Sequence, residues 1–148
     1  VVEPDSTRQI DALWTQGFDP STTATVFAPV AGIPAGQAGK GTFRITGFAP
    51  DTVAATVTTD GPALFVHSQN WHPYWQVEVD GAPAEVVRAD YTLLGVAIPS
   101  AGEHRVVFRY RSPRVATGLL VAKSTWGLVL LLSLILGVRA RRRSPAVA

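Results

Sequence analysis

A chain of 148 residues without a single cysteine has no route to a disulfide framework or a thiolate metal site, so its folded part must be held by burial alone. The formal charge of +2 is unevenly spread: Lys123, Arg139, Arg141, Arg142 and Arg143 supply five of the basic side chains and leave residues 1–117 with eight basic against eleven acidic. A mildly acidic folded part excludes the clustered basic surface that a nucleic-acid partner requires.

The chain opens Val1-Val2-Glu3, contains no methionine and carries no signal-peptide pattern, which predicts a processed product or fragment whose export depends on upstream membrane spans. Ser6-Thr7-Arg8-Gln9 has the spacing of a capping box, and Ile10, Leu13 and Trp14 fall on one face before Gly17. These signals predict a short amphipathic helix. Beyond Phe18-Asp19-Pro20, Thr23 to Phe27 reads as a strand and Ala28 to Gly41 as a flexible loop rich in Gly, Ala and Pro.

From Thr42 the pattern changes to period two. Phe43 and Ile45 oppose Arg44 and Thr46, and Val53 and Val57 oppose Thr52, Thr56 and Thr58, as half-buried strands do. Ala63 to His67 is a further strand, and Trp75, Val77 and Val79 alternate with Gln76, Glu78 and Asp80. Asp80-Gly81 then tolerates the positive φ of a type I′ turn, which predicts that Glu85 to Val87 pairs back. Tyr91 to Ile98 and Arg105 to Arg111 read as another pair joined by Pro99-Ser100-Ala101-Gly102, with Val106, Phe108 and Tyr110 inward and Arg105, Arg109 and Arg111 outward. Seven or eight strands with frequent turns and no helix between them predict a mainly β fold, an antiparallel β-sandwich of immunoglobulin-like or jelly-roll-like kind.

Gly118 to Val138 is a mostly apolar run of 21 residues followed at once by Arg139, Arg141, Arg142 and Arg143. At about 1.5 Å per residue it covers the roughly 30 Å of a bilayer's hydrocarbon core, and the arginines favour the cytoplasmic side. The expected organisation is therefore an extracytoplasmic sandwich over 1–114, a transmembrane helix over 115–138 and a cytoplasmic basic tail over 139–148 in a bacterial plasma membrane. Ser112-Pro113-Arg114 leaves few residues between strand and span, which predicts a sandwich close to the outer leaflet. Lys123, one to two turns inside the span, is expected to snorkel to the outer headgroups.

The densest group of polar and aromatic side chains is Phe65 to Trp75, FVHSQNWHPYW. His67 and His72 are five apart with no carboxylate between them, which is poor spacing for a metal site. Ser68 beside His67 lacks a nucleophile elbow, and Glu78 and Asp80 read as a solvated strand face and a turn rather than an acid–base pair. No catalytic residue, metal ligand or cofactor follows from the residues. Trp71, His72 and Tyr74 are candidates for contact with glycan, since exposed rings beside amide and imidazole groups stack on sugar faces; the plainer alternative is that they cover one end of the sandwich and that Trp75 is core. Arg105, Arg109 and Arg111, on the strand leading to the span, are candidates for lipid or polyprenyl phosphate, with an ordinary charged outer face as the alternative.

Trp75-x-x-x-Val79-Asp80-Gly81, the turn Pro99-Ser100-Ala101-Gly102-Glu103-His104, then Val106-x-Phe108-x-Tyr110 and a final span together resemble the C-terminal end of YfhO-like bacterial membrane proteins. Phe18-Asp19-Pro20 extends the likeness over most of the chain, while Tyr74 stands where relatives often have glycine. The resemblance implies a multi-spanning parent similar to GT-C-type glycosyltransferases, which move a sugar from a polyprenyl-phosphate donor to a cell-envelope polymer. It also implies that the catalytic acids lie in early outer loops, outside these residues, so none is carried over. On that reading the partners are the bilayer, preceding transmembrane helices of the parent, and envelope glycopolymer or polyprenyl-phosphate sugar. The alternative is a non-catalytic, membrane-anchored glycan-binding or structural sandwich. A sortase-type sorting signal fails, because Pro113 to Gly118 has two residues too many before Thr-Gly and Ser112 stands where leucine is needed.

Overall fold

Alternation of apolar and polar residues, read against the computed structural model, which describes residues 1–34, 36 and 39–143, builds eight strands. In chain order they are β1 (Gly41–Ala49), β2 (Thr52–Thr59), β3 (Ala63–Asn70), β4 (Trp75–Val79), β5 (Ala82–Ala84), β6 (Val87–Ala89), β7 (Leu93–Ile98) and β8 (Gly102–Tyr110). A short helix, α1 (Ser6–Leu13), precedes them and a long one, α2 (Pro113–Arg143), follows. The fold is mainly β: an antiparallel sheet in the order β1-β2-β8-β4-β5 packs in sandwich fashion on a second in the order β3-β7-β6. The first compact unit is Val1–Arg111.

The core follows from the period-two faces. Val53, Ala55 and Val57 of β2, Val77 and Val79 of β4, and Val106 and Phe108 of β8 meet Phe65, Leu94, Val96 and Ile98 of the facing sheet. Removing that apolar surface from water is the main driving force for the unit. The larger sheet overhangs the smaller. Phe43, Ile45 and Phe48 of the edge strand β1 share the inner face of their buried register partners Val57, Ala55 and Val53; the Phe43 ring meets Phe65 of the second sheet at 5.5 Å between centroids, while Phe48 remains 79% exposed.

The sequence suggests a hairpin between the strands flanking Pro99-Ser100-Ala101-Gly102, and the structure corrects it. β7 pairs with β3 and β6, whereas β8 pairs with β2 and β4, so that turn carries the chain from one sheet to the other. Both strands are central, with Leu94, Val96, Ile98, Val106 and Phe108 almost wholly buried; each therefore needs a neighbour on either edge and an opposite sheet on its inner face. Pro99 has no N–H with which to continue a ladder, and Gly102 takes φ 127°, a conformation open mainly to glycine.

Asp80 and Gly81 adopt φ 53° and 82°, as a type I′ turn demands, but the returning strand is β5 rather than Glu85 to Val87. β5 ends at Ala84, after which the chain crosses to the second sheet as β6, so Val87 pairs with Gly95. The expected strand from Thr23 to Phe27 reduces to Val26, which bridges Val2 on one side and Ala89 on the other. Proline at positions 20 and 29 brackets this stretch and limits how far a ladder can run. The loop expected over Ala28 to Gly41 lies partly outside the described residues.

α1 also differs from expectation. Asp5, not Ser6, is the N-cap: its carboxylate accepts from the N–H groups of Thr7 at 2.7 Å and Arg8 at 3.4 Å. The expected apolar face is not the buried one, since Trp14 is 84% exposed and Ile10 is also exposed, while Gln9 is fully buried. The Gln9 Nε2 donates to the Glu3 carbonyl at 2.9 Å and its Oε1 accepts from the Tyr91 N–H at 3.0 Å. A helix of eight residues docks here by satisfying two backbone groups rather than by burying a stripe.

α2 begins with Pro113, a residue pre-set for the first helical position, and continues through the arginines to Arg143 instead of ending at Val138. Pro113–Arg139 has a mean hydropathy of 2.1 over its most apolar window and is long and apolar enough to cross a membrane, at roughly 40 Å for 27 residues. This is compatible with membrane anchoring. Of the expected tail, residues 144–148 lie outside the described residues.

Candidate functional site

Where β3 ends, its register with β7 slips between His67 and Asn70, and the next four residues carry the chain from the small sheet to the large one. Trp71 N–H donates to the Thr92 carbonyl and Trp75 N–H donates to the His72 carbonyl at 3.0 Å, which fixes both ends of the crossing. Pro73 limits the freedom between them. The ring of His72 lies edge-on to Tyr74 with centroids 4.7 Å apart and is 5.5 Å from Tyr110, while Tyr110 packs edge-on to Trp75, its register partner, at 5.3 Å. His72 Nδ1 faces the N–H of Tyr74 at 3.3 Å and the hydroxyl of Tyr110 at 3.5 Å.

His72, Trp75 and Tyr110 line an open depression of about 270 Å³ together with Pro50, Gln69 and Asn70, and Tyr74 stands outside that lining, against the His72 ring. Gln69 and Asn70 are exposed, so amide donors and acceptors stand beside aromatic faces. Tyr110 and Pro50 join the site only through sheet pairing: the β1–β2 turn reaches the end of β8, and Tyr110 N–H donates to the Asp51 carbonyl at 2.8 Å. The local sequence around Trp71 contains no sign of either.

Of the three candidate glycan-contact residues, the structure brings His72 and Tyr74 together and separates Trp71 from them. Trp71 is half-buried against the core and faces Arg88, whose Cζ lies 5.7 Å from its ring centroid. The same guanidinium sits 4.6 Å from the Phe27 ring and 5.3 Å from that of Tyr91. Arg88 escaped the reading of the sequence, because Phe27 and Trp71 reach it from distant segments and only Tyr91 is near it in the chain.

The arginine stripe is partly engaged. Arg109 Nη1 contacts Glu78 Oε1 at 2.7 Å, and that hydrogen bond, with the added attraction of Arg105 and Arg111, holds the Glu78 carboxyl below the usual range. Arg105 and Arg111 are exposed and Arg109 half-buried. Arg139 is exposed on α2, and Arg141, Arg142 and Arg143 belong to the same helix. His67 is separate from His72: its ring stacks on Phe108, 6.1 Å between centroids, and burial pushes its imidazole below the ordinary value.

The two turn motifs that carry the family resemblance meet in space. Asp80 Oδ2 lies 2.7 Å from His104 Nδ1, and Asp80 Oδ1 accepts the Arg105 N–H at 2.7 Å; the His104 hydrogen bond is the main reason the Asp80 carboxyl lies below its usual range. His104 Nε2 is 3.1 Å from the Ser100 carbonyl and 3.5 Å from the Ser100 hydroxyl. An imidazole nearer the carbonyl than the hydroxyl is placed to tie two turns together rather than to activate a nucleophile. Among the described residues no group of His, Asp and Glu is arranged to hold a metal ion. Comparison with protein-family models, curated proteins and solved structures finds no match to this chain.

Proposed function

We propose that the chain is a non-catalytic, membrane-anchored sandwich that holds carbohydrate of the bacterial cell envelope, and that it serves as the outer C-terminal domain and last span of a multi-spanning, polyprenyl-phosphate-sugar-dependent glycosyltransferase. The observation that supports carbohydrate contact is the depression in which His72, Trp75 and Tyr110 stand beside Gln69 and Asn70. Aromatic faces stack on the apolar faces of sugars while amides read hydroxyls. The transferase assignment draws on the resemblance of Trp75 to Tyr110 and the following span to YfhO-like proteins. Arg139, Arg141, Arg142 and Arg143 then mark the cytoplasmic end of the span.

Titration of the full chain in detergent micelles with neutral envelope oligosaccharides, followed by tryptophan fluorescence, tests the contact. Tyr110→Ala and His72→Ala are expected to weaken binding about tenfold each, a loss near 1.4 kcal/mol. Unchanged affinity in both variants would assign the rings to packing. The lack of cysteine makes the topology testable with single reporters: Ala101→Cys is expected to react with a membrane-impermeant maleimide in intact cells, and Ser144→Cys only after permeabilisation. The reverse pattern would remove the envelope reading altogether.

A further inference from the structure

Arg88 is held in an unusual way. Its guanidinium lies over the rings of Phe27, Trp71 and Tyr91, which come from the N-terminal segment, the β3–β4 crossing and the β6–β7 turn. Its Nε–H donates to the Tyr91 carbonyl, and neither ion pair among the described residues includes it. The Oδ1 of Asp90, two residues along the chain, is turned to Thr25, accepting its N–H at 2.8 Å. A full positive charge with free Nη donors is therefore fixed in place by three aromatic faces.

The turn that presents Tyr91 is strained. Asp90 and Tyr91 adopt φ 44° and 68°, left-handed values that cost non-glycine residues about 1–3 kcal/mol each. Gln9 and Thr25, both fully buried, hold this geometry: Gln9 Oε1 accepts from Tyr91 N–H, and Asp90 N–H donates to the Thr25 carbonyl at 2.9 Å. One buried side-chain amide and the backbone of one buried threonine thus maintain a costly turn whose carbonyl and ring both face the guanidinium.

We propose that Arg88 is an anion-binding residue for an acidic carbohydrate, its free guanidinium edge taking a phosphate or carboxylate group while the exposed part of Trp71 meets the sugar. This rests on the carbohydrate reading given above and names the charge class of the ligand. A planar fork pairs two-to-two with either oxyanion, and its orientation by the three rings lowers the ordering entropy lost on binding. The anion lies with Arg88 and not with the depression at His72, so neutral and acidic sugars report on different residues.

The test is a titration of the full chain, labelled with nitrogen-15 in zwitterionic micelles, with glucose, glucose 6-phosphate, glucuronate and inorganic phosphate, reading the arginine Nε–H signals. Glucose 6-phosphate and glucuronate are expected to shift the Arg88 signal saturably, with glucose leaving it in place and inorganic phosphate binding at least tenfold more weakly than glucose 6-phosphate. Arg88→Lys, which keeps the charge but not the fork, is expected to weaken glucose 6-phosphate binding about tenfold. An Arg88 signal that stays still with both acidic sugars would overturn the proposal, even if neutral oligosaccharide still binds at His72 and Tyr110. Equal affinity for inorganic phosphate and glucose 6-phosphate, or a shift produced only when anionic lipid is added to the micelles, would also overturn it.

Discussion

The central sandwich and the N-terminal segment of the same unit are held by opposite physics. In the sandwich, side chains of β2, β4 and β8 press against those of β3 and β7, and the buried members are aliphatic or aromatic. In the segment before β1, the fully buried side chains are Gln9 and Thr25, while Trp14 and Ile10 face outward. Burial of apolar area is non-directional and tolerates small shifts; paired amides and hydroxyls fix a geometry but add little net stability. The first region supplies the stability, and the second positions a strained turn and the arginine beside it.

The largest expected effect tests the burial side. Phe108 is 1% exposed between the sheets, so Phe108→Ala is expected to cost about 3–5 kcal/mol, measured by denaturant unfolding of the full chain in micelles. A loss below 1 kcal/mol would mean that the two faces are not tightly packed. Next comes Gln9→Ala, expected to cost about 1–3 kcal/mol by leaving the Tyr91 N–H and the Glu3 carbonyl unpaired. Its signature is local: hydrogen exchange should speed at Val26 and Tyr91 and stay slow at Val96 and Val106. Uniform acceleration would erase the distinction between the regions.

A smaller effect appears against pH. The Asp80 carboxyl lies below its ordinary value when folded, so the unfolded chain takes up the proton first; the stabilisation is present above about pH 4 and fades as pH falls through the lowered value. His67, lowered by burial from 6.5, likewise removes stability as pH falls from its ordinary value through its folded one. Melting temperature followed from pH 8 to pH 2 should decline in these two windows, and Asp80→Asn should lessen only the acidic decline, to which Asp5, Asp19 and Glu78, also lowered, still contribute. Smallest of all is Trp14→Ser, expected to stay within about 0.5 kcal/mol because the ring is exposed. A larger loss would show that the ring has a packing partner.

Much of the sheet structure was legible in the sequence because side chains alternate with period two: Val53 and Val57, Trp75, Val77 and Val79, and Val106 and Phe108 all face as their spacing predicts. The Asp80-Gly81 turn was legible for a local steric reason, since both residues need positive φ. The partner of each strand was not. A short connection with turn chemistry serves equally as a hairpin or as a crossing between sheets, and only competition for neighbours separates β7 from β8. The candidate site was half legible: His72 and Tyr74 announce themselves, whereas Tyr110, Pro50 and Arg88 reach their places through pairing across long stretches of chain.

Sequence by itself determined the quantities that depend on near neighbours along the chain: which faces of the strands are apolar, where the backbone can turn, and a C-terminal helix long and apolar enough for a bilayer. Tertiary structure alone decided that the first helix buries Gln9 instead of Trp14, that the two turn motifs join through Asp80 and His104, and that Trp71 faces an arginine rather than His72. The reason is physical. Alternation and φ preference are set within a few residues, while the partner of a hydrogen bond or an aromatic face is set by whichever distant segment reaches it first without leaving a buried polar group unpaired.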